Sequence, residues 1–119
     1  MILPAIAAGL GGLAVALGAF GAHALKGSLS PDAQGWWETA TLYALVHAAA
    51  AFALGLQDRA GVSAYAGWAM CLGVVVFSGS LYAMALGAPR WFGAITPLGG
   101  LSFLLGWALA AVYALRQSG

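Results

Sequence analysis

Charge is what this sequence has least of. Its ionised side chains at neutral pH are Lys26, Asp32, Glu38, Asp58, Arg59, Arg90 and Arg116, or 6% of 119 residues. A water-soluble domain carries about 25%, because its surface must be wetted. With 63% hydrophobic residues and a mean hydropathy of +0.94, the chain has no polar shell, and its solvent is expected to be lipid. The net charge of +1 comes without any basic run. That excludes nucleic acid as a partner, since phosphate neutralisation needs clustered cations. Cysteine is nearly absent. Cys71 alone allows neither an internal disulfide nor a paired-cysteine metal or redox motif, and inside an apolar stretch its thiol behaves as a small hydrophobe. A cleaved leader is not expected either. Ala22-His23-Ala24 resembles a cleavage site, but Met1 to Pro4 carry no basic side chain, and the apolar stretch is about twice a normal signal core.

What is present is length without interruption. Apolar stretches run over 2–25, 37–56, 63–86 and 91–115, separated by short polar breaks. A helix of about 20 residues spans the ~30 Å hydrocarbon core. Lipid offers no partner for unpaired backbone groups, so helices are the expected form, and the alternating ~10-residue segments of a barrel are missing. The expected fold is an all-α membrane protein: one domain, a four-helix antiparallel transmembrane bundle. Ser30-Pro31-Asp32 puts a hydroxyl cap before a proline, a common helix start. Trp36, Trp37 and Trp91 stand at headgroup level on that side. A short interfacial helix is therefore predicted before the second span. Small residues recur every four positions: 14, 18 and 22; 40, 44 and 48; 79, 83 and 87; 106, 110 and 114. Such stripes let helix backbones approach inside lipid, within the bundle or between copies. Pro97 among Gly93, Gly99 and Gly100 predicts a kink in the fourth span. Orientation stays open, because Arg59 and Arg116 on one side balance Lys26 and Arg90 on the other.

The polar residues are unevenly deep. His23 ends the first span, Glu38, Thr39 and Thr41 open the second, Ser78, Ser80 and Tyr82 close the third, and Thr96 opens the fourth. All gather toward the face of the first and third breaks. His47 lies about 15 Å below Trp37, near the midplane, with Tyr43 one turn above it. Ionisable groups at such depth usually face the bundle interior. The candidate intramembrane cluster is thus His23, Glu38, Tyr43, His47, Ser78, Ser80, Tyr82 and Thr96. Each has a structural reading beside the functional one. Glu38 can reach the headgroups or pair with Lys26 or His23, His47 can be a neutral imidazole bonded to a neighbour, and the serines can be packing hydroxyls. His23 and His47 are separated by roughly 10 Å or more in depth, too far to share an ion or a haem. No metal or cofactor is expected, and no nucleophile–base pair or HExxH motif marks an enzyme.

Four segments, GAFGAHALK (18–26), YALVHA (43–48), FSGSLY (77–82) and WFGAITPLGGLSFLLGW (91–107), taken together and in this order, resemble domain-of-unknown-function family 423. This is the YgdD-like family of small bacterial inner-membrane proteins. The resemblance implies a multi-pass protein of the bacterial inner membrane without an assigned activity, and it supplies no catalytic residues. Because no continuous polar path crosses both leaflets and the oily half would block aqueous conduction, the function expected is a non-enzymatic bundle that binds membrane lipid or serves a larger membrane complex as an accessory or stabilising subunit, with a homo-oligomer as a further candidate partner. The alternative is a small transporter or channel using a polar half-cavity around His47.

Overall fold

The computed structural model describes residues 2–57 and 60–118, and it is helical throughout most of those residues. Met1, Asp58, Arg59 and Gly119 lie outside the described residues, so the charges expected at Asp58 and Arg59 have no structural account. In chain order the elements are α1 (Ile2–His23), α2 (Pro31–Gly55), α3 (Val62–Gly73), a π-helical turn (Val74–Ser78), α4 (Gly79–Ala85), a 3-10 turn (Arg90–Ala94) and α5 (Thr96–Ser118). Three helical stretches are long and apolar enough to cross a membrane: Ile2–His23, Val62–Ala85 and Arg90–Ser118. Helix α2 has the length, at 25 residues, but its first turns carry Asp32, Gln34 and Glu38 and its middle carries His47.

Local chemistry sets the ends. Ser30 caps α2 in extended conformation, its Oγ accepting from the Ala33 N–H at 3.1 Å, and Pro31 occupies the first turn, where a missing N–H costs nothing. No break separates that first turn from the rest: Pro31 to Gly55 is one helix, and Trp37 lies nearly two turns into it. The second connection follows Gly55. At the end of α4 the chain reverses through Gly87, whose φ of +111° favours glycine. The Ala88 N–H reaches back to the Ala83 carbonyl at 2.9 Å, so the last turn keeps its acceptors satisfied.

Packing is close because the facing residues are small. The stripe Ala40, Ala44 and Ala48 is buried along α2, with Ala51 continuing it. Helix α1 meets it in descending order: Gly11 faces Ala48, Gly18 faces Thr41 and Gly21 faces Trp37. On its other side α2 meets the third stretch, where Gly67 faces the Ala51 carbonyl and Ser78 bonds to Ala40. The third stretch in turn meets α5 through Met70 against Gly106, Phe103 against Gly73, and Phe77 against Gly99. Lipid tails are as apolar as leucine, so these contacts stabilise by van der Waals packing and hydrogen bonding rather than by escape from water. The large apolar side chains point outward, among them Leu101, Leu104, Leu105 and Leu115 of α5, while its buried residues are Gly99, Phe103 and Gly106.

Two expectations change. The third stretch is not a uniform α-helix. The π turn at Val74–Ser78 widens the coil by one residue and rotates the helix beyond it, so Gly79 meets open space and Gly87 serves the reversal. The stripe 79, 83 and 87 is therefore no seam within the bundle. Nor does Pro97 kink the fourth stretch. The chain starts it as the 3-10 turn Arg90–Ala94 and restarts at Thr96, which puts Pro97 in the first turn of α5. There the proline has no upstream α-helical carbonyl to displace.

Candidate functional site

Six of the eight polar residues singled out in the sequence lie in two layers, where they meet neighbouring hydroxyls, an indole N–H, aromatic rings and backbone carbonyls. In the layer nearer the first and third connections, Thr41 Oγ1 and Tyr82 OH stand 2.6 Å apart, joining α2 to α4. Ser78, fully buried, donates to the Ala40 carbonyl at 2.7 Å. Ser80 Oγ lies 2.5 Å from Thr96 Oγ1, tying α4 to α5, and also reaches the Phe77 carbonyl at 3.0 Å. Trp37, 3% exposed, donates its indole N–H to the Leu17 carbonyl at 2.8 Å and packs edge-on against Tyr82 at 4.5 Å. Gly21 is the residue that admits the indole, since a Cβ there would overlap the Trp37 ring.

The second layer is built around His47. Its Nδ1 lies 2.7 Å from the Tyr43 carbonyl, one turn earlier on α2, and its Nε2 accepts the indole N–H of Trp107 on α5 at 3.0 Å. With Nε2 accepting, the proton sits on Nδ1 and is donated to that carbonyl, so the imidazole is neutral in this arrangement. Its ring stacks on Phe103 with centroids 3.6 Å apart, and Tyr43 stacks beyond at 5.8 Å. Phe77 closes the cluster against Tyr43 at 4.7 Å and Phe103 at 5.4 Å. Both ring nitrogens are engaged, which leaves neither free for a metal or haem iron. His23 lies at the end of α1, whereas His47 is level with Gly11. Twelve residues of helix separate those levels, about 18 Å. Among the described residues, no group of three or more His, Cys, Asp or Glu stands together to hold an ion.

The structure thus joins Tyr43, His47, Ser78, Ser80, Tyr82 and Thr96 to the bundle and leaves His23 and Glu38 apart. Both of the latter are exposed, and Glu38 makes no hydrogen bond or ion pair with any described residue, Lys26 and His23 included. Trp107, Phe103 and Ser102 were missed. Ser102 donates to the Ala69 carbonyl at 2.7 Å across the α3–α5 seam. A tryptophan in the middle of an apolar run reads as a packing or interface residue, and only the distant partner on α2 gives its N–H a purpose. At the far end, Tyr113 donates to Gln57 Oε1 at 3.1 Å, while buried Ser63 Oγ has no partner among the described residues.

Shallow grooves run along the outside of this frame. One, of about 220 Å³, lies between α1 and the third stretch, with Leu10, Leu13, Leu17 and Val75 as walls and Tyr82 at its end. Two more follow the seam of α1 and α2: about 270 Å³ beside Gln34, Glu38 and Gly18, and about 430 Å³ beside Gly12, Val15 and Phe52. Leu45 borders both. Beneath these grooves the hydroxyls, the imidazole and the indoles bond within the bundle.

Residues 17–100 match the family model described as a protein of unknown function (DUF423). A UPF0382 membrane protein of Staphylococcus epidermidis is 42% identical over 109 residues, covering 90% of this chain and 89% of the relative. The UPF0382 membrane protein of Staphylococcus haemolyticus is 41% identical with the same coverage. The UPF0382 inner membrane protein YgdD of Escherichia coli K12 is 43% identical over 105 residues, covering 86% of this chain and 80% of the relative. No solved structure matches the chain.

Proposed function

This chain belongs to the DUF423 family of membrane proteins, and on that premise we propose that it is a non-enzymatic, four-span lipid-binding bundle of the inner membrane, acting as an accessory or stabilising subunit. The single observation that carries this reading is the division of labour in its polar groups. The deep hydroxyls, the imidazole and the indoles bond to one another and to backbone carbonyls, while the outer grooves are lined mainly by apolar side chains and glycine. Catalysis or conduction needs deep polar groups that are free to meet a substrate or water. Lipid binding needs grooves of the kind found on the outside.

Four crossings are supported by the order of the helix contacts. Each pair of neighbours meets in opposite residue order, α1 with α2, α2 with the third stretch, and the third stretch with α5. Helix α2, packed between two apolar stretches along its length, shares their depth. Its first turns, Pro31 to Trp36, then lie in the headgroup layer as the continuous start of the span. The transporter reading draws less support, because the imidazole at its centre is bonded at both nitrogens and stacked on Phe103.

The test is to purify the protein in mild detergent and weigh the intact complex by native mass spectrometry. Retention of stoichiometric lipid, with or without a partner protein, is the expected outcome. A bare chain that takes up no added lipid would overturn the reading.

A further inference from the structure

Resting on that lipid-binding reading, we propose that the seam of α1 and α2 is a site for one phospholipid with a primary-amine headgroup, its ammonium held by Glu38 and one acyl chain laid along the groove in the direction of Phe52. The two depressions follow one another along this seam and meet at Leu45, and the proposed lipid lies across both as one trough. From Glu38 to Phe52 it follows fourteen residues of α2, about 21 Å. One leaflet of a ~30 Å core is about 15 Å deep, so a chain starting at the headgroup layer has room for its length. The helices meet through Gly11 against Ala48 and Gly18 against Thr41, Gly12 lies open beside them, and Val15, Leu45 and Phe52 line the sides.

Only the headgroup end is charged. Glu38 borders the trough there, is exposed, and has no bonding partner among the described residues. One turn earlier on the same face stands Gln34, whose side-chain amide is likewise uncommitted and can donate to a phosphate oxygen. Thr41, though in the trough, is engaged with Tyr82, so it adds shape rather than a donor. A carboxylate at the membrane interface without a protein cation selects by charge. It repels a glycerol headgroup whose phosphate is unbalanced, and it attracts a zwitterion through its outer ammonium. A primary ammonium also donates hydrogen bonds to the carboxylate, which trimethylammonium cannot, so ethanolamine is favoured over choline.

The experiment offers the purified full chain phosphatidylethanolamine, phosphatidylcholine and phosphatidylglycerol of identical acyl composition, and counts bound lipid by native mass spectrometry. The wild-type protein is expected to retain the ethanolamine lipid over the glycerol lipid by about fivefold or more. Glu38→Gln should bring that ratio within about twofold while total bound lipid persists. Gly12→Leu should lower binding of all three, because the new side chain enters open space in the trough; Ala49→Leu, on the exposed face of the same trough, is the second variant should the first fold poorly. Lipid retained without headgroup preference, or a preference that survives Glu38→Gln, overturns the site and leaves the general lipid-binding reading standing. Loss of a protein dimer in Gly12→Leu, with lipid binding unchanged, overturns it in favour of a second copy as occupant. No lipid bound by the wild type removes both.

Discussion

The deep polar residues take their meaning from partners on other helices. His47 stood out in the sequence for its depth and for Tyr43 one turn away, and both rings do belong to one stack. What the sequence does not disclose is Trp107, sixty residues later, whose N–H completes the imidazole. Membrane hydrogen bonds average about 0.6 kcal/mol and reach roughly 1.7, and an acceptor left unpaired in the interior adds its desolvation cost. Trp107→Phe is therefore expected to lower stability by about 1–2 kcal/mol, read as a fall in the thermal unfolding midpoint in detergent. Adding His47→Phe should recover most of the loss, because an apolar ring keeps the stack on Phe103 and removes the orphan nitrogen. A double variant as unstable as the sum of its parts would contradict this account. A second pair obeys the same logic. Ser80 and Thr96 should show a positive coupling of about 0.5–1.5 kcal/mol in a double-alanine cycle, since each hydroxyl is the other's partner across α4 and α5. Both residues were visible as candidates; their pairing was not, because it depends on which helix faces share a seam.

Elements were legible to the extent that they follow from local composition. The apolar stretches and the Ser30–Pro31 start are written in consecutive residues; each stretch is largely helical, and α2 begins at Pro31 rather than at residue 37. The π turn is different. Gly73 is followed by Val74, Val75, Val76, Phe77 and Ser78, a run with no breaker, so nothing local distinguishes it from ordinary helix. Its setting is tertiary: a Cβ at Gly99 would overlap the Phe77 backbone, and the Gly99 carbonyl would lie 3.1 Å from a Cβ at Gly73. Backbone meets backbone there, and the widened coil occupies that contact. Gly99→Ala is expected to cost about 1–3 kcal/mol by forcing α5 away from the turn. Gly100→Ala, inside α5 where the added carbon meets open space, should stabilise by about 0.4–1 kcal/mol. Equal thermal shifts for the two neighbours would show that α5 does not press on the turn through Gly99. Pro97 teaches the converse. The proline is plain in the sequence, but its effect depends on where the α-helix begins, and the 3-10 turn before Thr96 moves that start almost onto it.

At the scale of the whole molecule the question is how a helix of mixed character comes to lie among three oily ones. Length and composition alone qualify Ile2–His23, Val62–Ala85 and Arg90–Ser118 as spans, and a three-span chain would leave its termini on opposite sides of the membrane. The contact order argues for a fourth crossing. Ala40, Ala44, Ala48 and Ala51 are almost wholly covered, and the partners covering them run from Trp37 beside Gly21 to Gly55 beside Leu3 and Pro4, nearly the full length of α1. In the proposed four-span bundle, α2, matched to α1 end for end, shares its depth of bilayer. Its polar burden is compatible with that position. Asp32, Gln34 and Glu38 fall in the first turns, at the level of Trp36 and Trp37, and the deep His47 is bonded at both nitrogens. The expected topology has the termini and the second connection on one side and the first and third connections on the other. Reporter fusions that are active on one side only, placed at the N-terminus, after Gly61, after Ala88 and at the C-terminus, should read same, same, opposite, same. If the two termini report opposite sides, α2 does not cross. The trough beside Glu38 would then lose its alignment with a leaflet, and the lipid assignment would fall together with the four-span bundle.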